Sequence, residues 1–274
     1  MSEPDSSSKT NVPAASTNGR MLPIPGMSQL PWWIIILAIF GAISVFAIAT
    51  NQDYISILMI LGSGIYLTLT VTLFAFLLAL LVGLIVGLMR VSHNPVLNTI
   101  ATLYIEIVRG IPLLVQILYF FYVIAPFFSE LSPDPLKPIF RDEVIQGIVA
   151  LGIGYGAYLA EVYRAGIQSI SRGQVEAARA LGMSYLQAMR LVILPQALRV
   201  ILPPLGNDLI SMLKDSSLVS AISVKELTLW TRQRSAVTFR PLEHWTIAAL
   251  LYLVMTLGLS LVVRYLERKY HIPK

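Results

Sequence analysis

Long apolar runs recur along this chain and leave it only one kind of solvent. Residues 32–50, WWIIILAIFGAISVFAIAT, carry no charged side chain and open on two tryptophans suited to a membrane–water interface. At about 20 residues per crossing, this stretch is long enough for one helical span. Further runs follow at about 64–89, 97–125 around Pro112, 144–166, 200–222 and 245–263. Hydrophobic residues make up 56% of the chain and charged ones 13%, against about 45–50% apolar in soluble domains. The expected fold class is therefore an all-α integral membrane protein with about six transmembrane helices.

Residues 1–31 read differently. Pro4, Pro13, Pro23, Pro25 and Pro31 punctuate a Ser- and Asn-rich stretch with little to pack, the signature of a disordered tail. Ala47-Ile48-Ala49 imitates a signal-peptidase site, but the segment ahead of the apolar run would be unusually long and holds acidic residues, so an uncleaved span is expected. Six spans place both termini on one side. That side, with the tail, the 90–96 turn, the flanks of the 171–195 hairpin and the C-terminus, holds twice the Lys and Arg of the other. The positive-inside rule then makes both termini and the hairpin cytoplasmic.

Several chemistries are excluded early. There is no cysteine, so disulfides and thiolate metal sites are impossible, and His93, His244 and His271 are too scattered for a metal cluster. The net charge of +5 is distributed between apolar runs, which topology explains better than nucleic-acid binding. Nothing resembles a phosphate-cradling GxxxxGK[ST], so any ATP chemistry must come from another chain. No cofactor is expected.

Residues 171–195 are a polar hairpin between apolar blocks. Ser171 with Gln174, and Ser184 with Gln187, have the spacing of capping boxes, in which the serine hydroxyl takes the N3 amide and the glutamine reaches back. Gly182 suits the left-handed corner that ends a helix, and Pro195 lacks the amide to continue one. Two short helices are expected, at about 172–181 and 185–194. An ordinary amphipathic cytoplasmic loop would show much of the same pattern.

Polar residues also sit inside the spans, where an ionisable group costs about 2.5–3.5 kcal/mol and needs a partner or a purpose. Thr102, Glu106, Arg109 and Gln116 share a stripe at helical spacing in the third run, with Arg109 roughly 18 Å into a core of about 30 Å. Gly147, Gly154 and Glu161 share another. In the fifth run Asn207, Ser211 and Lys214 lie along one line, with Asp208 and Asp215 beside it. One account pairs them internally: Glu106 with Arg109, Glu161 with Arg164, and Lys214 with Asp208 or Asp215. The other makes them a solute pathway for a zwitterionic amino acid, with Arg109 for its carboxylate, Glu161 for its ammonium and Asn207 as a neutral amide.

The hairpin carries a resemblance. Glu176-Ala177-Ala178, then Gly182, then Ile193-Leu194-Pro195 resembles the EAA loop of ATP-binding-cassette (ABC) importer permeases, with Val192 where that loop has isoleucine. Three further stretches resemble polar amino-acid permeases of the histidine, glutamine, glutamate and arginine type. Tyr104 to Gln116 is similar to Y-x-E-x-x-RGTPLLVQ, with Ile111 in place of Thr. Gly156 to Arg164 is similar to GAYxAExxR, and Leu213 to Leu218 reads LKDSSL. The resemblance covers about 62–270. It implies a type I ABC importer permease fold that works by alternating access in a bacterial cytoplasmic (inner) membrane.

The same resemblance implies a coupling helix carried by Glu176, Ala177, Ala178, Leu181 and Gly182, seated in a separate ATPase. The implied partners are two ATPase subunits, a second permease copy or homologue, an extracytoplasmic amino-acid-binding protein and a polar amino-acid substrate. The candidate substrate residues are Arg109, Gln116, Glu161, Asn207, Asp208 and Ser211. The domain reading is a tail at 1–31, an extra helix and connection at 32–61, and a permease domain at 62–270. The alternative is an ion channel or ion-coupled carrier in which Glu161 and Asp208 bind cations or protons, but a channel needs no cytoplasmic docking helix. An intramembrane enzyme would need a nucleophile–base or metal constellation, and the sequence offers none.

Overall fold

The computed structural model describes residues 51–269 together with single positions between 32 and 50. The chain divides into two compact units, Met1–Thr50 and Asn51–Lys274. In the first, Trp32, Ile35, Ile36, Ile39 and Phe46 are helical and exposed, and the Thr50 hydroxyl donates to the Phe46 carbonyl at 2.8 Å. The tail expected at 1–31 lies outside the described residues, as does most of the first run.

The second unit is all helix and turn, with no strand among the described residues. Five helices are long and apolar enough to cross a membrane: α1 (Gln52–Val91), α3 (Leu113–Leu131), α4 (Glu143–Gln168), α6 (Leu186–Ile222) and α8 (Pro241–Lys269). Between them lie α2 (Pro95–Gly110), α5 (Arg172–Ala180) and α7 (Leu227–Thr238). Helices suit this solvent because hydrocarbon offers the backbone no hydrogen bonds, and a helix satisfies its own.

Helix α1 starts earlier than hydropathy indicates. Its N-cap is Asn51, whose side chain accepts from the Asp53 amide at 2.9 Å, so the helix begins at Gln52 rather than Gly64 and runs 40 residues. At 1.5 Å per residue that is about 60 Å, twice the hydrocarbon thickness. The apolar stretch locates the membrane; the cap locates the helix.

α1 and α4 form the centre of the unit, and glycines on both make this possible. A Cβ added at Gly83 would meet Leu159 Cβ at 2.7 Å, and one at Gly156 would meet Val82 Cγ1 at 2.7 Å. Gly83 with Gly87, and Gly152 with Gly156, repeat at the four-residue spacing that lets membrane helices approach closely. Val71, Ala75, Ala79, Leu151, Tyr155 and Leu159 are buried along the same contact.

The third run is not one continuous helix. Ile111 is extended (φ −106°, ψ 132°), as the residue before a proline tends to be, and Pro112 follows at φ −56°, ψ 136°. The stripe expected from Thr102 to Gln116 is therefore broken. Arg109 belongs to the last turn of α2 instead of the middle of a straight span. Beyond the break, α3 contains a π turn at Phe120–Ile124, ending two residues before Pro126.

α6 repeats that device and corrects a second expectation. A π turn at Met189–Ile193 ends two residues before Pro195, and the Leu194 amide donates back to the Met189 carbonyl. The wider turn accommodates the ring without ending the helix. The helix after Ser184 thus passes through Pro195 and continues as the fifth span, where a stop was expected.

Candidate functional site

A cavity of about 590 Å³ opens between α2, α4 and α6. Arg109, Tyr158, Glu161, Val200, Pro204 and Asp208 are among its walls. Three of the six residues expected to bind substrate, Arg109, Glu161 and Asp208, meet here from three separate helices.

Their partners differ. Arg109 places its guanidinium carbon 5.4 Å from the Tyr158 ring centroid, a cation–π contact. It makes no ion pair with Glu106, contrary to the internal pairing. Glu161 does pair internally: Arg164 donates to Glu161 Oε2 from Nε at 2.9 Å and from Nη2 at 2.6 Å, and Arg164 Nη1 donates to Gln168 Oε1 at 2.6 Å. Asp208 is half-buried and has no hydrogen-bond or ion-pair partner among the described residues. Lys214 pairs with neither expected aspartate, since Asp215 Oδ2 instead accepts from the Tyr155 hydroxyl at 2.6 Å.

The other three stand apart. Asn207 and Ser211 are on α6 but do not line the cavity. Gln116 closes the break after α2: its Nε2 donates to the Val108 and Ile111 carbonyls, both at 2.7 Å, supplying donors to acceptors that the interrupted helix leaves open.

Two contributors were not singled out from the sequence. Tyr158 could have been, because it lies one turn before Glu161 on the same helical face. Pro203 and Pro204 lie inside α6 and have no amide, so the Arg199 and Val200 carbonyls lack their usual helical donors. Val200 and Pro204 both line the cavity, so this proline-interrupted stretch of α6 forms part of its wall.

On the hairpin, Gly182 adopts φ +80°. Its amide donates to Arg179 O at 2.9 Å, and the Met183 amide donates to Ala178 O at 3.1 Å, the paired bonds of a Schellman corner. The second capping box forms: the Ser184 amide donates to Gln187 Oε1 at 2.8 Å and the Gln187 amide to Ser184 Oγ at 3.3 Å. The first does not. Ser171 makes no side-chain cap, and the Gln174 side chain instead lies 3.4 Å from Gln196 Nε2 across the hairpin. Glu176 and Ala177 are exposed, Leu181 is 80% exposed, and Ala178 is buried against the chain itself.

Glu226, which nothing in the sequence marked, is wholly buried where α7 starts. Its Oε1 accepts from the Leu229 amide at 2.9 Å, and its Oε2 from the Tyr252 hydroxyl at 2.8 Å. Burial pushes its carboxyl above the ordinary range, and the surrounding hydrogen bonds only partly offset this.

A glycine-paired helical core, a cavity to which three helices bring Arg109, Glu161 and Asp208, and an exposed capped hairpin together define a polytopic membrane permease. Residues 79–272 match the family described as binding-protein-dependent transport system inner membrane component. The chain is 41% identical over 174 residues to the glutamine transport system permease protein of Escherichia coli K12, which covers 64% of this chain and 76% of that protein. Among solved structures, an amino acid ABC transporter with histidines superposes at TM-score 0.70 with 40% identity, over 80% of this chain and all of that one. The inward-facing methionine transporter MetNI shares the fold, at TM-score 0.65 and 21% identity over 81% of this chain and 99% of that one. The chain therefore belongs to the binding-protein-dependent inner-membrane permease family, as the membrane subunit of an ABC importer with the type I fold. It is a transport subunit and not an enzyme, ATP hydrolysis falling to a separate chain, and nothing in the comparisons favours the channel alternative.

Proposed function

We propose that the chain carries a polar amino acid through the cavity between α2, α4 and α6. The observation behind this reading is a cation and a carboxylate, neither in an ion pair, brought to one cavity from two separate helices: Arg109, stacked on Tyr158, and Asp208. Arg109 takes the substrate carboxylate and Asp208 its ammonium. Glu161, already held by Arg164, shapes the field instead of binding directly. Gln116, Asn207 and Ser211 support the cavity from outside its lining.

Coupling runs through the hairpin. Exposed Glu176, Ala177 and Leu181 present a surface to an ATPase subunit, and the Gly182 corner, with Ala178 packed beneath, sets its angle. Two permease chains and two ATPases form the complex, an extracytoplasmic protein delivers the amino acid, and both termini are cytoplasmic. Residues 1–31 and the first span lie outside the transporting domain. Closing of the ATPases draws the hairpins together and rocks the spans between inward- and outward-open states.

The test is Asp208→Asn in the purified permease–ATPase complex, with amino-acid binding measured in the absence of the binding protein. A charge-assisted contact is worth about 1.5–3 kcal/mol, so affinity should weaken about tenfold to a hundredfold at normal expression. Glu161→Gln should instead lower the yield of folded protein and leave affinity near wild type. Wild-type binding by Asp208→Asn would refute the assignment.

A further inference from the structure

A second cavity, of about 380 Å³, lies at the other end of α4, where the chain returns from α3 through the Lys137–Arg141 turn. Its volume falls within the range of about 300–1,000 Å³ for small-molecule sites. Gln146 lines it, is only 6% exposed, and holds the one buried side-chain oxygen or nitrogen without a hydrogen-bond partner among the described residues, Oε1. The amide cannot be turned to relieve this, because Nε2 already donates to the Phe140 carbonyl, which accepts only a donor. A buried amide oxygen with no partner calls for an N–H from elsewhere.

The rest of the wall is charged and aromatic. Arg141 Nε donates to buried Ser129 Oγ at 3.2 Å, which steadies the guanidinium while its two terminal nitrogens make no hydrogen bond within the described residues. Glu130 and Glu143 supply carboxylates, and Phe121 and Tyr122 pack edge to face at 4.9 Å between ring centroids. A guanidinium fork, two carboxylates and an unpaired acceptor beside aromatic rings match the two ends of one molecule, an α-amino acid zwitterion.

We infer that this is an outer waiting site for the transported amino acid, with Arg141 for the carboxylate, and Gln146 and Glu143 for the ammonium. Gln146 and Glu161 lie about 22 Å apart along α4 at 1.5 Å per residue, so the two cavities occupy opposite ends of the same rigid helix. The inference rests on the amino-acid reading of the first cavity. It adds a stop before that cavity on the face opposite the hairpin.

Equilibrium binding of radiolabelled L-glutamine and, separately, L-arginine to the permease–ATPase complex in nanodiscs, without binding protein, tests it. Wild type should show two classes of site. Gln146→Leu, and the surface variant Arg141→Gln, which leaves α4 intact, should each weaken one class by about tenfold to a hundredfold and spare the class removed by Asp208→Asn. A single class lost with Asp208→Asn and indifferent to both outer variants overturns the outer site and keeps the inner one. A class sensitive to the outer variants, with none sensitive to Asp208→Asn, keeps the outer site and overturns the inner assignment. No binding of either amino acid by wild type overturns both.

Discussion

The two walls of the transport cavity are built on opposite principles. One is α4, packed on α1 through reciprocal glycines with both helices unbroken, and it contributes Tyr158 and Glu161. The other is α2 and α6, which carry or adjoin several irregularities: the break at Ile111–Pro112, the π turn before Pro195, the prolines at 203 and 204, and the 3₁₀ turn Ser216–Ile222. That wall contributes Arg109 and Asp208. The glycine-paired wall leaves no room for sliding, whereas helix breaks and π turns are places where backbone hydrogen bonds can be exchanged at modest cost. On the reading proposed above, the glycine-paired wall is the scaffold and the broken wall is the one that moves, and α6 links that wall directly to the 171–195 hairpin.

The largest effect expected is on the scaffold. Gly83→Leu puts a Cβ 2.7 Å from Leu159 Cβ and 3.2 Å from the Gly156 carbonyl, and backbone cannot give way as a flexible side chain can. Overpacking of this kind costs about 1–3 kcal/mol or more, so folded protein should fall sharply by size-exclusion yield and thermal stability. Gly62→Leu is the control, since nothing lies within 4 Å of a Cβ there. If both variants fold equally well, α1 and α4 are not a close-packed scaffold.

A smaller, local effect is expected on the moving side. Gly182→Val forces a β-branched residue to φ +80°, at about 1–2 kcal/mol, although the corner has open space around it. Uptake and transport-stimulated ATPase activity should drop while insertion and melting temperature stay close to wild type. Normal stimulation would separate the hairpin from coupling and leave the moving wall without its lever.

The smallest effect concerns the buried carboxyl at the start of α7. Because the folded state holds Glu226 above its unfolded pKa of about 4.3, folded protein binds the proton more tightly than unfolded protein does. Its contribution is complete below that value and is lost as pH rises through the folded pKa. Glu226→Gln should therefore flatten the fall in melting temperature across that window. An unchanged slope would mean other groups govern the pH dependence.

Much of this was legible in the sequence, and the legible parts are local. The five apolar helices of the second unit follow from composition, because a bilayer offers a charge-free run few alternatives. The Gly182 corner and the Ser184 box follow from residue types whose preference is decided within a few positions. The break after α2 was local as well, since a residue preceding proline leaves helical geometry readily, yet Pro112 inside an apolar run reads as one kinked span.

Other features depend on which surfaces meet. That Gly83 faces Leu159, that Glu226 is sealed beneath Tyr252, and that Gln146 lacks a donor are properties of contacts between distant segments, which spacing along one helix does not encode. The same holds for the charges in the cavity. Arg109, Glu161 and Asp208 were recognisable from the sequence as costly groups in need of a role. Which carboxylate was left without a partner was settled only when Arg164 closed on Glu161 and α6 brought Asp208 to the opposite wall. Residue type sets the energetic demand of a buried charge, and tertiary packing decides which neighbour, if any, meets it.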